Sequence, residues 1–343
     1  MKNYYIIILL FASTLLLNSC KEDDPITIYR VGLISSTSGW GDKGFNDNAR
    51  EGLEYMESLE NIEALYLETI YVEDQEENIS QLISDSCDLI IGLGTNMKDD
   101  LTQAAIENPE IDFLLIDIAA DTLLSNLISI VFDVEESAFP CGYLAAWYAE
   151  YIDTIAPCAA WIGGMDIAVI NQFKIPFIKG IEYYNDENTS NVAIAGNYLN
   201  GFDLPEQGEA TADSLINSQS ADIIFTFAGG SGAGALQNIA DNDKVAIGVD
   251  VDQFYTFPDI QEIFLTSCVK RLDYAVADIV AQYSTSIFMG NSILHYNLLN
   301  QGIGLASLHS FNDIVPDSVV TDISNILVGI KAGDIDTGWP EEK

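Results

Sequence analysis

Short apolar runs rich in Ile, Val, Leu and Phe alternate with segments of helical periodicity from residue 28 almost to the end of the chain, and turn-forming residues close most of the runs. Runs of this length and composition read as buried strands. Strands are expected at 28–35, 64–72, 88–94, 111–118, 127–134, 159–163, 192–199, 222–228, 245–250, 264–270 and 294–305. Strands that alternate with helices predict an α/β architecture of mainly parallel sheets. Residues 135–151 read as a long helix entering a second lobe, with Pro140 accommodated in its first turn. At 343 residues the chain exceeds what one core usually serves, and no Gly/Ser-rich linker divides it. Two lobes joined by several short crossings follow, with crossings placed near Val134, Phe264 and Ser292. One lobe then takes 28–134 plus 265–291 and the other 135–264 plus 292–335.

The amino end breaks this pattern. Lys2 precedes an apolar run over 4–17, short for a bilayer span, and Leu17-Asn18-Ser19-Cys20 follows. That order reads as a signal peptide over 1–19 whose end resembles a bacterial lipobox, with Cys20 as the lipidated first mature residue and 20–27 as its tether. Lys21-Glu22-Asp23-Asp24 resembles an acidic tag that sends some lipoproteins to the outer-membrane surface. The expected location is therefore the cell envelope, with the membrane reached through the lipid anchor only.

Charge narrows the partners. The formal net charge is −40, and −41 once a leader holding Lys2 and no acid is removed. So negative a field opposes nucleic acids and anionic headgroups and leaves a neutral small ligand as the expected partner. Four cysteines remain after Cys20: Cys87, Cys141, Cys158 and Cys268. Export permits disulfides, but the sequence does not choose among the pairings, and buried free thiols are the expectation for most.

Ligand sites of α/β proteins gather at the carboxyl ends of strands. There the chain places a Gly-rich turn over 34–47 with Phe45, Asn46 and Asp47 at a helix start; Asp117; Gly163-Gly164; Gly201-Phe202-Asp203; the glycine loop 228–234; Asp250; and Lys270-Arg271. Phe45 and Phe202 on two lobes can sandwich a flat ring, while Asp250 accepts from vicinal hydroxyls and Lys270 donates to the same sugar. Each has a structural alternative: Phe45 as a staple for its helix, Asp117 as a turn cap, Lys270 as the partner of a surface acid. Gly230-x-Gly232-x-x-Ala235, with Asp250 at the next strand end, also forms a passable dinucleotide fingerprint, whose helix is expected only over 235–240. That pattern keeps an exported dinucleotide-dependent oxidoreductase as a rival. His295 and His309 are the only histidines, too few to support a metal cage or a Ser/His/Asp triad.

Gly41-Asp42-Lys43-Gly44-Phe45-Asn46, Gly142-Tyr143-Leu144-Ala145, Gly163-Gly164, Gly201-Phe202, Ala228-Gly229-Gly230-Ser231-Gly232, Gly248-Val249-Asp250 and Thr266-Ser267-x-x-Lys270-Arg271 together resemble the basic membrane protein family of lipoproteins, over roughly residues 30–330. The resemblance implies a type I periplasmic-binding-protein fold of two doubly wound lobes without catalytic turnover; the chain is expected to be a monomer, and no cofactor or metal is expected. It implies a solute-binding protein, purine nucleosides as ligands, and the permease of an ATP-binding-cassette importer as partner. Carried over, Phe45 and Phe202 sandwich the base, Asn46 and Asp117 bond its edge, and Asp250, Lys270, Gly229 and Gly230 hold the ribose. The chain departs from the family pattern at Ser36, where an aspartate is usual, at Gly44, usually serine, and at Cys268-Val269. Trp40 is an extra aromatic near the mouth. A sensor of another small ligand is the alternative on the same fold.

Overall fold

The computed structural model describes residues 27–59, 61–285 and 287–339. The leader, Cys20 and the tether up to residue 26 lie outside them. The strands are β1 (Tyr29–Ile34), β2 (Ile62–Leu67), β3 (Leu89–Leu93), β4 (Asp112–Ile116), β5 (Leu127–Phe132), β6 (Cys158–Gly163), β7 (Ala193–Tyr198), β8 (Ile223–Phe227), β9 (Val245–Asp250), β10 (Phe264–Lys270), β11 (Ser292–Tyr296) and β12 (Ile303–Leu305). They form two six-stranded sheets, ordered β11-β5-β4-β3-β1-β2 and β12-β10-β9-β8-β6-β7. Every pairing is parallel except β10 with β12. Helices cover both sheets, so central strands such as β3, β8 and β9 are buried at every residue and have no polar face to alternate with. This is the type I periplasmic-binding-protein architecture.

Two expected boundaries are corrected by strand pairing. Phe264–Lys270 pairs with β9, so it stays in the second sheet and the chain leaves that lobe after Lys270, not near Phe264. Ser292–Tyr296 pairs with β5, so it closes the edge of the first sheet and does not open the second lobe's tail. The expected single strand over 294–305 is accordingly two strands in different sheets, parted by a turn over 297–302. The three crossings are laced together. The Asp133 N–H donates to the Tyr296 carbonyl at 2.9 Å, Asn297 Nδ2 to Asp133 Oδ2 at 3.0 Å, and the Arg271 N–H to the Gly302 carbonyl at 2.9 Å.

Helix Glu135–Ile152 carries the chain from β5 into the second lobe and is buried on most of its surface. Pro140 is its sixth residue, in the second turn where the first was expected, so the Glu136 carbonyl loses its usual helical donor. Opposite lies helix Ala168–Asn188. The two cross at glycines: a Cβ at Gly142 would stand 1.9 Å from the Phe177 carbonyl oxygen, and one at Gly180 2.0 Å from that of Phe139. Gly142, one of the residues that suggested the family, thus serves backbone approach between helices. Cys87, Cys141, Cys158 and Cys268 are buried free thiols.

Candidate ligand-binding cleft

The carboxyl ends of both sheets face one another across a cleft with about 730 Å³ of non-protein space, part of it open to solvent. That falls in the range of about 300–1,000 Å³ usual for small-molecule sites. Phe45, Thr95 and Asp117 line it from the first lobe, and Phe202, Asp250 and Lys270 from the second.

The turn that presents Phe45 is built by carboxylates and an amide. Asp42 accepts the N–H groups of Gly44, Asn46 and Asp47 at 3.0, 2.9 and 3.2 Å, satisfying donors at the start of helix Phe45–Glu57. Burial raises the Asp42 pKa, and those three N–H groups pull against the rise. Asp47 accepts from the Gly41 and Lys43 N–H groups at 2.8 and 2.9 Å. Asn46 is fully buried: its Oδ1 accepts the Ser36 N–H at 2.8 Å, and its Nδ2 donates to the Gly39 carbonyl at 2.9 Å and to Asp42 Oδ2 at 3.1 Å. The amide is spent on the loop, and Asn46 is absent from the cavity wall. Trp40 packs edge-on to Tyr66, 6.3 Å between centroids, and also lies off the cavity wall.

Asp117 and Asp250 sit at or just past the ends of β4 and β9 with φ of +70° and +65°. Aspartate tolerates this left-handed region better than most side chains, and such conformations cluster where function holds the backbone. Lys270, at the end of β10, lies between the two acids. Its Nζ donates to Asp117 Oδ2 of the opposite lobe at 2.8 Å and lies 3.6 Å from Asp250 Oδ1. The rings of Phe45, Phe173 and Phe132 approach the ammonium at 5.0, 5.3 and 5.6 Å from their centroids. Burial pushes the Asp250 pKa up to about 6 although Lys270 pulls it down, and the charges of Asp117 and Asp42 add to the rise. For Lys270 burial alone would lower the pKa, but Asp117 and Asp250 outweigh it and the value is raised, so the ammonium stays charged.

Phe202 lies on a loop pinned by the next helix. Its ring covers Gly164, where a Cβ would meet the ring at 2.2 Å. Its carbonyl accepts the Ser231 N–H at 2.8 Å, and Ser231 Oγ accepts the Leu204 N–H at 2.8 Å and donates to the Gly201 carbonyl at 3.1 Å. Gly229, with φ of +54°, completes this wall. Gly230 does not line the cavity; it opens helix Gly230–Asp241, five residues earlier than expected. The amides that a dinucleotide fingerprint would offer to a pyrophosphate are engaged: Ser231 N–H by Phe202 and Gly232 N–H by the Gly229 carbonyl. Gly234 meets helix Pro205–Gln219, a Cβ there standing 1.9 Å from the Pro205 carbonyl oxygen. The glycine loop is thus a packing and loop-anchoring device, which removes the footing of the oxidoreductase reading.

Of the residues singled out in the sequence, Phe45, Asp117, Phe202, Gly229, Asp250 and Lys270 share one cavity, and Asn46 and Gly230 stand outside it. Sequence reasoning missed Phe173, Ile170 and Thr95 among others. Thr95 follows the end of β3, and the strand-end rule applied there finds it. Phe173 is the sixth residue of helix Ala168–Asn188 and carries no such signal.

The family described as ABC transporter substrate-binding protein, PnrA-like, matches residues 30–334. Among curated relatives, the CD4+ T-cell-stimulating antigen of Listeria innocua is 27% identical, over 92% of this chain and 89% of that protein. The ABC transporter nucleoside-binding protein BmpA of Lactococcus lactis is 26% identical, over 93% and 94%. Basic membrane protein D of Borreliella burgdorferi is 28% identical, over 89% and 85%. A solved ABC transporter solute-binding protein from Aeropyrum pernix superposes with a TM-score of 0.85 at 22% identity, covering 92% of this chain and 94% of that one, a likeness of fold. No helix among the described residues is long and apolar enough to cross a membrane.

Proposed function

Since the chain belongs to the PnrA-like family of ABC transporter substrate-binding proteins, we propose that it is a lipid-anchored extracytoplasmic receptor that binds a nucleoside, with a purine base, between its lobes and presents it to an ABC importer. In this reading Phe45 and Phe202 flank the base, Asp117 bonds its edge, and Asp250, Lys270 and the Gly229 backbone hold the sugar. Asn46 acts as a positioning residue, because its amide holds the turn that carries Phe45. A ligand that spans Asp117 on one lobe and Asp250 on the other favours the closed arrangement, the one an importer distinguishes from the open form. Cys20 carries the lipid.

One observation carries the reading: two phenyl rings from opposite lobes line a single cavity whose polar end is an acid–lysine–acid group. The name of the Lactococcus lactis relative, a nucleoside-binding protein, supports the same ligand class. The test is mass spectrometry of small molecules released from the purified, denatured protein, followed by calorimetric titration. The expected result is a purine nucleoside and saturable binding without turnover. Release of an unrelated solute, with no heat on titration of adenosine, guanosine or inosine, would refute it.

A further inference from the structure

A second interlobe cavity lies on the hinge side of Asp250. It holds about 1,070 Å³ of non-protein space, part of it open to solvent, and Asp250 lines both cavities. The first lobe contributes Lys43, Gly44 and Glu51, the second contributes Tyr255 and Thr256 beside Asp250, and Arg271 stands at the crossing that follows β10. At the junction stands Gly44, whose missing Cβ would lie 3.8 Å from Asp250 Oδ2. No side chain fills this position, and the buried Asp250 forms a wall shared by the two cavities.

The chemistry of the second cavity is one-sided. Asp47, Glu51, Asp250 and Asp252 line it against only Lys43 and Arg271. Arg271 is held by Asp273 through two contacts of 2.8 Å, and the Lys43 ammonium rests 4.7 Å from the Phe257 ring centroid. Asp47 and Asp252 are partly committed, to the Gly41 and Lys43 N–H groups and to His309. Glu51 is an exposed carboxylate on the first lobe's wall. Such a compartment favours hydroxyl or amine donors and repels phosphate.

We infer that this hinge-side cavity is an extension of the ligand site, which takes a hydrogen-bond-donating, neutral or cationic substituent on the ligand's sugar, with Gly44 keeping the passage beside Asp250 open. The inference rests on the nucleoside reading and adds to it the class of sugar-modified nucleosides.

The test is calorimetric titration of the full-length mature protein with the tightest-binding of adenosine, guanosine and inosine, with its 2′-, 3′- and 5′-aminoethyl ethers, and with its 5′-monophosphate. At least one ether should bind within about tenfold of the parent, and the monophosphate should be weaker by about 100-fold or more. Glu51→Gln should weaken that ether by about three- to tenfold and leave the parent unchanged, and Gly44→Val should weaken it further. Glu51→Gln changes an exposed side chain, so it reports even if Gly44→Val fails to fold. The extension alone is overturned if the parent binds but every ether is about 100-fold weaker, or if Glu51→Gln affects parent and ether equally. Failure of adenosine, guanosine and inosine alike to bind overturns the nucleoside reading and the extension with it.

Discussion

Replacing Lys270 with methionine keeps the apolar stem among Phe45, Phe132 and Phe173 and removes the cation that stands between the buried Asp250 and the half-buried Asp117. At an effective dielectric constant of about 20, contacts of 2.8 and 3.6 Å correspond to about 6 and about 4.6 kcal/mol of attraction. Desolvation of the ions offsets much of this, and breaking a buried pair typically costs about 3–5 kcal/mol because the remaining charge is uncompensated. The cost should depend on pH. Burial already lifts Asp250 to about 6, above an unfolded value of about 3.9, and losing Lys270 lifts it further. An acid with a raised folded pKa opposes folding in its ionised form, so its penalty is absent below the unfolded pKa and grows as pH rises through the folded one. Lys270→Met should therefore lose about 3–5 kcal/mol near pH 8 and distinctly less near pH 5. Urea denaturation followed by tryptophan fluorescence and circular dichroism at both pH values reads this directly. An equal loss at both would mean that packing was lost and not charge compensation, and no loss near pH 8 would refute the argument.

Asn46→Ala should lower stability by about 1–3 kcal/mol, since it strands the Ser36 N–H and the Gly39 carbonyl; unchanged thermal unfolding with lost affinity would instead make Asn46 a ligand contact. Phe45→Ala and Phe202→Ala should each weaken nucleoside binding by about 1–3 kcal/mol in calorimetry, as stacking on a base predicts, and unchanged titrations would remove the sandwich. Wild-type affinity should fall below about pH 6, by up to about tenfold per pH unit, as Asp250 gains a proton and ceases to accept from the sugar. Asp250→Asn should flatten that profile and weaken ribosides more than free bases, whereas equal losses for both would make Asp250 structural. Cys20→Ala should release the protein from membranes on fractionation; retention would reject the lipid anchor.

How much of this was legible beforehand depends on range. The runs for β9 and β10 mark those strands to the residue; β9 is apolar up to its last position, as burial on both faces requires, whereas β10 also carries Thr266, Ser267 and Lys270. Their ends expose Asp250 and Lys270 as candidates. Local pattern was less decisive where one residue type has two uses. Asn46 beside Phe45 looks like a ligand contact, yet its amide is consumed by a turn that bends back on it. The run over 294–305 looks like one strand because both of its halves are apolar, and a turn of six residues sends them to different sheets.

From the sequence alone came the α/β alternation and the strand-end residues from which a site is made, both consequences of periodicity within a few residues, and the two lobes, a consequence of chain length. Tertiary structure alone decided that β10 belongs to the second sheet and β11 to the first, and that Lys270 meets an acid 153 positions away. Strand partners are chosen by hydrogen bonding and burial between segments far apart in the chain, and neither leaves a mark on the local pattern of either segment.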